Sequence, residues 1–323
     1  MSVSRILVVR LGAMGDILHA LPAVAALRMS FPEAEVCWAA APRWRDLLHG
    51  NPLVDEFIEF DRRRAGGWFR AWRALRRERF DLAIDFQGLW QSALVATIAR
   101  SSRVIGYERA QAREGGAAVF YTETVHAMAS HVVDRNLELS AAAGALRRVH
   151  EFPLPAGRPE GNLPDTPFVL ANPLAGWVSK QWPLEHYQTL ALQLRDSLGL
   201  PLVVNGPPGS ERLLRQITAA IPQTSSVSGL IHATRRAAAV VGVDSGPLHL
   251  AAALGKPGVA IFGPTDPVRN GPYGNSLTLL RDPSASTTYA RESEIAASMR
   301  AVTPELAGAA LRRAGRPDRG AGA

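Results

Sequence analysis

The stretch ILVVRLGAMGDILHALPAVAALR, residues 6–28, decides the fold. Its first six residues are an apolar, β-branched run of the kind that forms a strand buried on both faces. The glycines of GAMG then bracket a short turn, and apolar residues recur at helical spacing from Ile17 onward. Asp16 falls where the turn becomes the helix. An acid there has two readings. It can favour a helix start through the dipole, or it can be a carboxylate placed at the carboxyl end of a strand, where α/β proteins carry their sites.

The same strand-then-helix unit recurs outward from that stretch. Strand-like runs stand at 35–40, 81–86 and 103–107, and then at 168–172, 201–205, 239–244 and 258–262, with helical patterns between them. Such alternation predicts an α/β fold with mostly parallel sheets. The segment EFPLPAGRPEGNLPDTP, 151–167, carries five prolines and two glycines and reads as a linker and hinge candidate. The expected organisation is an amino-terminal Rossmann-like domain over 1–155, a carboxyl-terminal one over 156–313, and a disordered tail over 314–323. Two doubly wound domains facing each other would leave a central cleft lined by strand ends.

Composition narrows the class. The chain has 323 residues, enough for two ordinary domains, and 47% hydrophobic content, which is globular. Its single cysteine, Cys37, lies in an apolar run and reads as core, and one cysteine excludes an internal disulfide framework. No run approaches the ~18–20 apolar residues of a membrane span. Arg10 and Asp16 close behind the first apolar run argue against a signal peptide, so a cytoplasmic protein is expected. The net charge is +7, which favours anionic partners. Only two of the 36 basic residues, Lys180 and Lys256, are lysine, which draws attention to both.

Three segments carry chemistry. In VVGVDSGPLHLAAALGKPGVAIFGPTDP a strand ends at Asp244, and Ser245, Gly246 and Pro247 open a helix. Small residues at a helix start leave N–H groups free for an anion. Asp244 then suits sugar hydroxyls and His249 suits phosphates, against the plainer reading of Asp244 and Ser245 as helix caps. A second small-residue turn follows at Gly263, Pro264 and Thr265. In ANPLAGWVSKQWPLEHY, Lys180 is a compact charge suited to a diphosphate. The first half lacks G-x-G-x-x-G, which disfavours a dehydrogenase. An acid at the end of its first strand instead suits a general base acting on an acceptor hydroxyl. The third segment, 61–80, has eight arginines, two tryptophans and two phenylalanines; as a helix it puts Trp68, Trp72 and Leu75 on one face. It reads as an interfacial helix or a binding patch for an anionic amphiphile, with single-stranded nucleic acid or a plain surface helix as the alternatives.

Together ILVVRLGAMGDILHALPA, DFQGLWQSA, QARE, the K-x-W-P of Lys180 to Pro183, GVDSGPLHLAAALGKP and FGPTDP resemble the ADP-heptose:lipopolysaccharide heptosyltransferases, most closely the heptosyltransferase I branch. The resemblance runs from residue 6 to about 274. It implies a GT-B fold and an inverting, metal-independent glycosyltransferase with no cofactor. It also implies an amino-terminal acceptor domain and a carboxyl-terminal donor domain. By motif position Asp16 looks like the catalytic base and Lys180 like the holder of the donor diphosphate. Asp244, Ser245, Gly246 and His249 look like the donor pocket, and Glu211 like the acid that meets the adenosine ribose. Arg113 looks like a contact to the acidic Kdo sugars of the acceptor, and Arg62, Arg63 and Arg64 stand where the family carries basic residues for the anionic inner core. The implied partners are ADP-heptose and Kdo-lipid A at the inner face of the inner membrane, and not nucleic acid. The chain departs from the pattern at Gln91, where a lysine is usual, at PLAGWVS before Lys180, and with DSG in place of DTG. Two rival expectations remain: a transferase of the same fold with another nucleotide sugar or acceptor, and a non-catalytic basic module acting through 62–79.

Overall fold

A computed structural model describes residues 3–314, apart from Glu78 and Tyr289. The chain divides into two compact units, Met1–Pro155 and Ala156–Ala323. Of the tail expected to be disordered, 315–323 lies outside the described residues, and Ala314 is the last residue of the helix Pro304–Ala314.

The first unit is built on six parallel strands: β1 (Arg5–Val9), β2 (Glu35–Ala40), β3 (Glu56–Glu59), β4 (Leu82–Asp85), β5 (Arg103–Tyr107) and β6 (Glu123–Val125), in the order β3-β2-β1-β4-β5-β6. The second unit has β7 (Val169–Asn172), β8 (Leu202–Gly206), β9 (Ile221–Thr224), β10 (Ala239–Val243), β11 (Gly258–Phe262) and β12 (Leu277–Arg281), in the order β12-β11-β10-β7-β8-β9, again parallel throughout. Read from β9, the second sheet has the connectivity of the first. Both follow the doubly wound 3-2-1-4-5-6 order, whose switch point lies between the first and fourth strands. In the first unit that is β1 against β4; in the second it is β7 against β10.

The central strands are buried because almost every residue in them is apolar, as helices on both faces require. Cys37 is fully buried in β2, as expected of a core residue. The strands that the sequence pattern missed are β3, β6, β9 and β12. These are the four edges of the two sheets. Edge strands are covered on fewer sides, so Glu56, Glu59 and Glu123 are tolerated in β3 and β6 and the apolar run disappears there.

The segment read as a linker, 151–167, holds the boundary between the two units, and each side of it is anchored in its own unit: the Pro153 carbonyl accepts from Asn51 Nδ2 at 2.9 Å, and Glu160 accepts from Ser226 Oγ at 2.6 Å. One other reading changes. In the arginine-rich region the helix is Gly67–Leu75, and its buried side is Gly67, Ala71 and Leu75. Trp68 and Trp72 are exposed, so they do not share the fate of Leu75. Among the described residues no helix is long and apolar enough to cross a membrane.

Candidate functional sites at the two switch points

In the first unit the chain leaves β1 through Arg10 and turns at Gly12 into the helix Met14–Ser30, whose third residue is Asp16. Asp16 Oδ2 accepts the Ala13 N–H at 3.1 Å, so the helix-cap reading is correct as far as it goes. The carboxylate does more. Oδ1 lies 2.8 Å from Arg10 Nη2, and Arg113 Nη2 donates to both oxygens at 2.9 and 3.0 Å. Arg10 is a buried guanidinium, 2% exposed, that also donates to the Phe86 carbonyl beyond β4. Burial pushes the Asp16 carboxyl up, but the two guanidinium charges outweigh it and hold it below its ordinary value.

The loop after β4 fixes the surroundings. Asp85, fully buried, accepts from the N–H groups of Gln87 and Gly88 and from the hydroxyls of Ser92 and Tyr121. Burial nonetheless raises its carboxyl above the ordinary value. Gln87 Oε1 accepts the Leu11 N–H at 2.7 Å, tying this loop to the turn that carries Asp16. Gly88 has φ +70, and a Cβ there would stand 3.1 Å from the Arg113 nitrogen. Glu114 completes the docking: its N–H donates to the Gly88 carbonyl, and its carboxylate accepts the Trp90 N–H at the start of the helix Trp90–Ile98. The DFQG and QARE motifs are therefore one packed structure.

Around Asp16 opens a pocket of about 480 Å³ whose lining includes Arg43, Arg62, Arg63, Gln87, Gln91 and Arg113. Arg62 donates to Gln91 Oε1 at 3.3 Å, the position at which a lysine was expected. Arg64 is exposed and does not line the pocket. Arg10 and Arg43 are site residues that the motif reading missed; the two lie at the ends of adjacent strands β1 and β2.

In the second unit Lys180, Asp244, Ser245, Gly246 and His249 gather at the β7–β10 switch point. Lys180 ends a short turn, Val178–Lys180, whose position is set two residues later by Trp182, buried and donating its indole N–H to the Val302 carbonyl at 2.7 Å. Lys180 Nζ lies 2.5 Å from Asp244 Oδ2 and 4.2 Å from the centre of the Trp177 ring. Thr265 Oγ1 donates to Asp244 Oδ2 at 2.7 Å, and His249 Nε2 lies 3.6 Å from Oδ1. Burial opposes the charge on Asp244, yet His249 and Lys180 hold its carboxyl below the ordinary value. Asp244 therefore serves as a hub for Lys180, Thr265 and His249. Ser245 precedes the helix Gly246–Ala253, and its Oγ is buried without a hydrogen-bond partner among the described residues. Glu211 is exposed beyond the end of β8 and accepts from Thr224 Oγ1 at 3.1 Å.

Among the described residues, Glu35, Cys37 and Glu56 are close enough to share a cation. Arg5 Nη2 already stands 2.7 Å from Glu56 and 3.4 Å from Glu35, and the cluster lies at the amino-terminal ends of β2 and β3, at the opposite end of the strands from the turn that carries Asp16.

Two doubly wound units with polar groups gathered at their switch points define a GT-B glycosyltransferase architecture, and the fold matches solved heptosyltransferases. The profile of glycosyltransferase family 9 (heptosyltransferase) matches residues 68–296, and the chain belongs to that family. It is 30% identical to lipopolysaccharide heptosyltransferase 1 of Escherichia coli K12, over 86% of this chain and 94% of that protein. It is 29% identical to lipopolysaccharide heptosyltransferase 1 of Pseudomonas aeruginosa, over 84% and 82%. Among solved structures, E. coli heptosyltransferase WaaC with ADP-2-deoxy-2-fluoro heptose is similar with a TM-score of 0.78 and 25% identity, over 96% of this chain and 99% of that one. The chain is therefore a transferase, and the expectation of a non-catalytic basic module falls away.

Proposed function

We propose that this chain transfers heptose from ADP-L-glycero-D-manno-heptose to Kdo-lipid A, the reaction of a heptosyltransferase I. The observation that carries this reading is a strand-end carboxylate, Asp16, in a pocket lined by arginines. Such a pocket suits a sugar acceptor bearing carboxylates, and the carboxylate suits removal of a proton from its hydroxyl. The first unit is read as the acceptor domain and the second as the donor domain. Arg62, Arg63, Arg113 and Arg43 would hold the anionic groups of the acceptor. Lys180, Ser245, Gly246 and His249 would hold the diphosphate, with Glu211 at the ribose.

In the proposed step the acceptor oxygen bonds to the anomeric carbon as the bond to ADP breaks. The hydroxyl proton goes to Asp16, and ADP leaves with the bonding electrons. Attack and departure on opposite faces invert the anomeric centre. The growing charge on ADP falls on Lys180 and on the helix start at Gly246, which is electrostatic stabilisation by groups already fixed in place. These cations take the role that a metal plays in other transferases, so no cofactor enters the scheme.

The acceptor is read as membrane-borne. The helix Gly67–Leu75 exposes Trp68, Phe69 and Trp72, with Trp90 exposed on a second helix and Arg70 and Arg73 beside them. Aromatic side chains among arginines suit an anionic lipid surface, which supports a peripheral enzyme at the inner face of the inner membrane. A second reading, with the same donor and another inner-core acceptor, is favoured by Gln91 where a lysine is usual.

Calorimetric titration with ADP-heptose, ADP-glucose and UDP-glucose tests the donor. Transfer to Kdo-lipid A, compared with a core that already carries heptose, tests the acceptor. Selective ADP-heptose binding with transfer to Kdo-lipid A is expected. Equal binding of all three donors would contradict the donor reading, and transfer only to the heptosylated core would favour the second acceptor.

A further inference from the structure

Both oxygens of Asp16 are already taken. Oδ1 faces Arg10 and Arg113, and Oδ2 faces Arg113 and the Ala13 N–H. A carboxylate in that state is a poor proton acceptor. The two guanidiniums differ in how they are held. Arg10 is 2% exposed and anchored on the Phe86 carbonyl, so it stays. The Arg113 side chain is 47% exposed, and among the described residues its only hydrogen bonds are the two to Asp16. Its backbone, by contrast, is fixed by the packing of QARE on Gly88. The side chain can therefore leave while the loop remains.

We propose that Arg113 is a latch on Asp16: its guanidinium covers the catalytic carboxylate until an anionic group of the arriving acceptor draws it away. The inference rests on the reading of Asp16 as general base and of the acceptor as anionic. Arg113 is thereby a positioning residue that acts through Asp16. The advantage is chemical. A base exposed beside a bound sugar nucleotide would activate water, whose oxygen would bond to the anomeric carbon while ADP left and the water proton passed to Asp16. With the latch closed, that hydrolysis is suppressed until the proper hydroxyl is present.

Other charges face the same carboxylate. Arg43, Arg62, Arg63 and Asp61 line the pocket. Asp85 and Tyr107 act on Arg10 from behind, and His19, one turn along the helix, has its ring against that of His131. Arg113 also acts on Arg10 through its charge, so the test is made without acceptor and includes Arg113→Lys, which keeps that charge.

The test measures ADP release from ADP-heptose without acceptor, across pH, for the wild-type chain and for Arg113→Gln, Arg113→Lys, Asp16→Asn and Asp16→Asn/Arg113→Gln. The latch predicts that Arg113→Gln raises acceptor-independent release by about tenfold, within the range a general base can supply. The acid limb of that release should move to higher pH, because the carboxylate has lost a cation, and Arg113→Lys should fall between. The double variant should lose the gain. Release from Arg113→Gln at or below the wild-type rate with an unmoved acid limb would overturn the latch, as would a gain that survives Asp16→Asn. Failure of the base reading is seen separately, as wild-type transfer by Asp16→Asn alone.

Discussion

At the scale of single residues, each switch point joins one carboxylate to a basic group from its own strand–turn–helix unit and a cation from beyond another strand. Asp16 is held by Arg10 and Arg113, and Asp244 by Lys180 and His249. In the second unit the cation is the proposed ligand group. Lys180→Ala should weaken ADP-heptose binding by roughly ten- to a hundredfold, the worth of a hydrogen bond to a charged group. Calorimetry reads this directly, and unchanged affinity would remove Lys180 from the donor site. The acids and the lysine were legible in the sequence because each sits at a fixed offset from a strand end. Which residue pairs with which was not: Lys180 reaches Asp244 from beyond β7, Thr265 from beyond β11, and Arg113 reaches Asp16 from beyond β5. Such pairings follow from strand order, which spacing along the chain does not give.

At the scale of elements, motifs that read as separate runs are packed pairs. The QARE loop lies on the DFQG turn, with Gly88 at positive φ and a Cβ there crowded by the Ala112–Arg113 backbone. Gly88→Ala should therefore displace Arg113, as well as costing about 1–3 kcal/mol of backbone strain. The expected result is a lowered melting temperature together with a raised KM for acceptor, while donor affinity is unchanged. The K-x-W-P motif has a similar division of labour, since buried Trp182 anchors the turn that presents Lys180. The helix Gly67–Leu75 illustrates the limit of pattern reading. The helix is where the pattern put it, but its buried side is Gly67, Ala71 and Leu75 rather than a Trp68–Trp72–Leu75 face, because which side meets the core depends on what lies opposite, and here small Ala71 packs inward while Phe69 is 62% exposed. Replacing Trp68, Phe69 and Trp72 together with serine should reduce sedimentation with vesicles containing anionic lipid. Turnover of a deacylated acceptor should stay near the wild-type value. Undiminished vesicle binding would contradict the membrane face.

At the scale of the whole molecule, one connectivity is used twice, and in each unit the chemistry-bearing side chains collect where strand order reverses. The eight inner strands announced this arrangement through their apolar runs, and the four edge strands did not, because an edge need not be apolar to be stable. The charges also set an acid response. Asp16 and Asp244 have folded values below their unfolded ones. Their contribution to stability is complete above the unfolded carboxylate range, near pH 4, and is lost as pH falls through the lower folded values. Asp85 is raised and runs the other way, favouring the folded state most at low pH. Stability measured by denaturant titration should thus decline below about pH 4. Asp244→Asn should flatten that decline, and an unaltered profile in this variant would show that its ionisation is not linked to folding.

The central claim is that Asp16 removes the acceptor proton. The most direct measurement is the rate of heptose transfer to Kdo-lipid A by Asp16→Asn at saturating donor and acceptor, with ADP-heptose affinity measured on the same protein. The account predicts a loss of turnover of about 10²- to 10⁴-fold, with donor affinity near that of the wild-type chain. Turnover within a few-fold of the wild-type rate would contradict it.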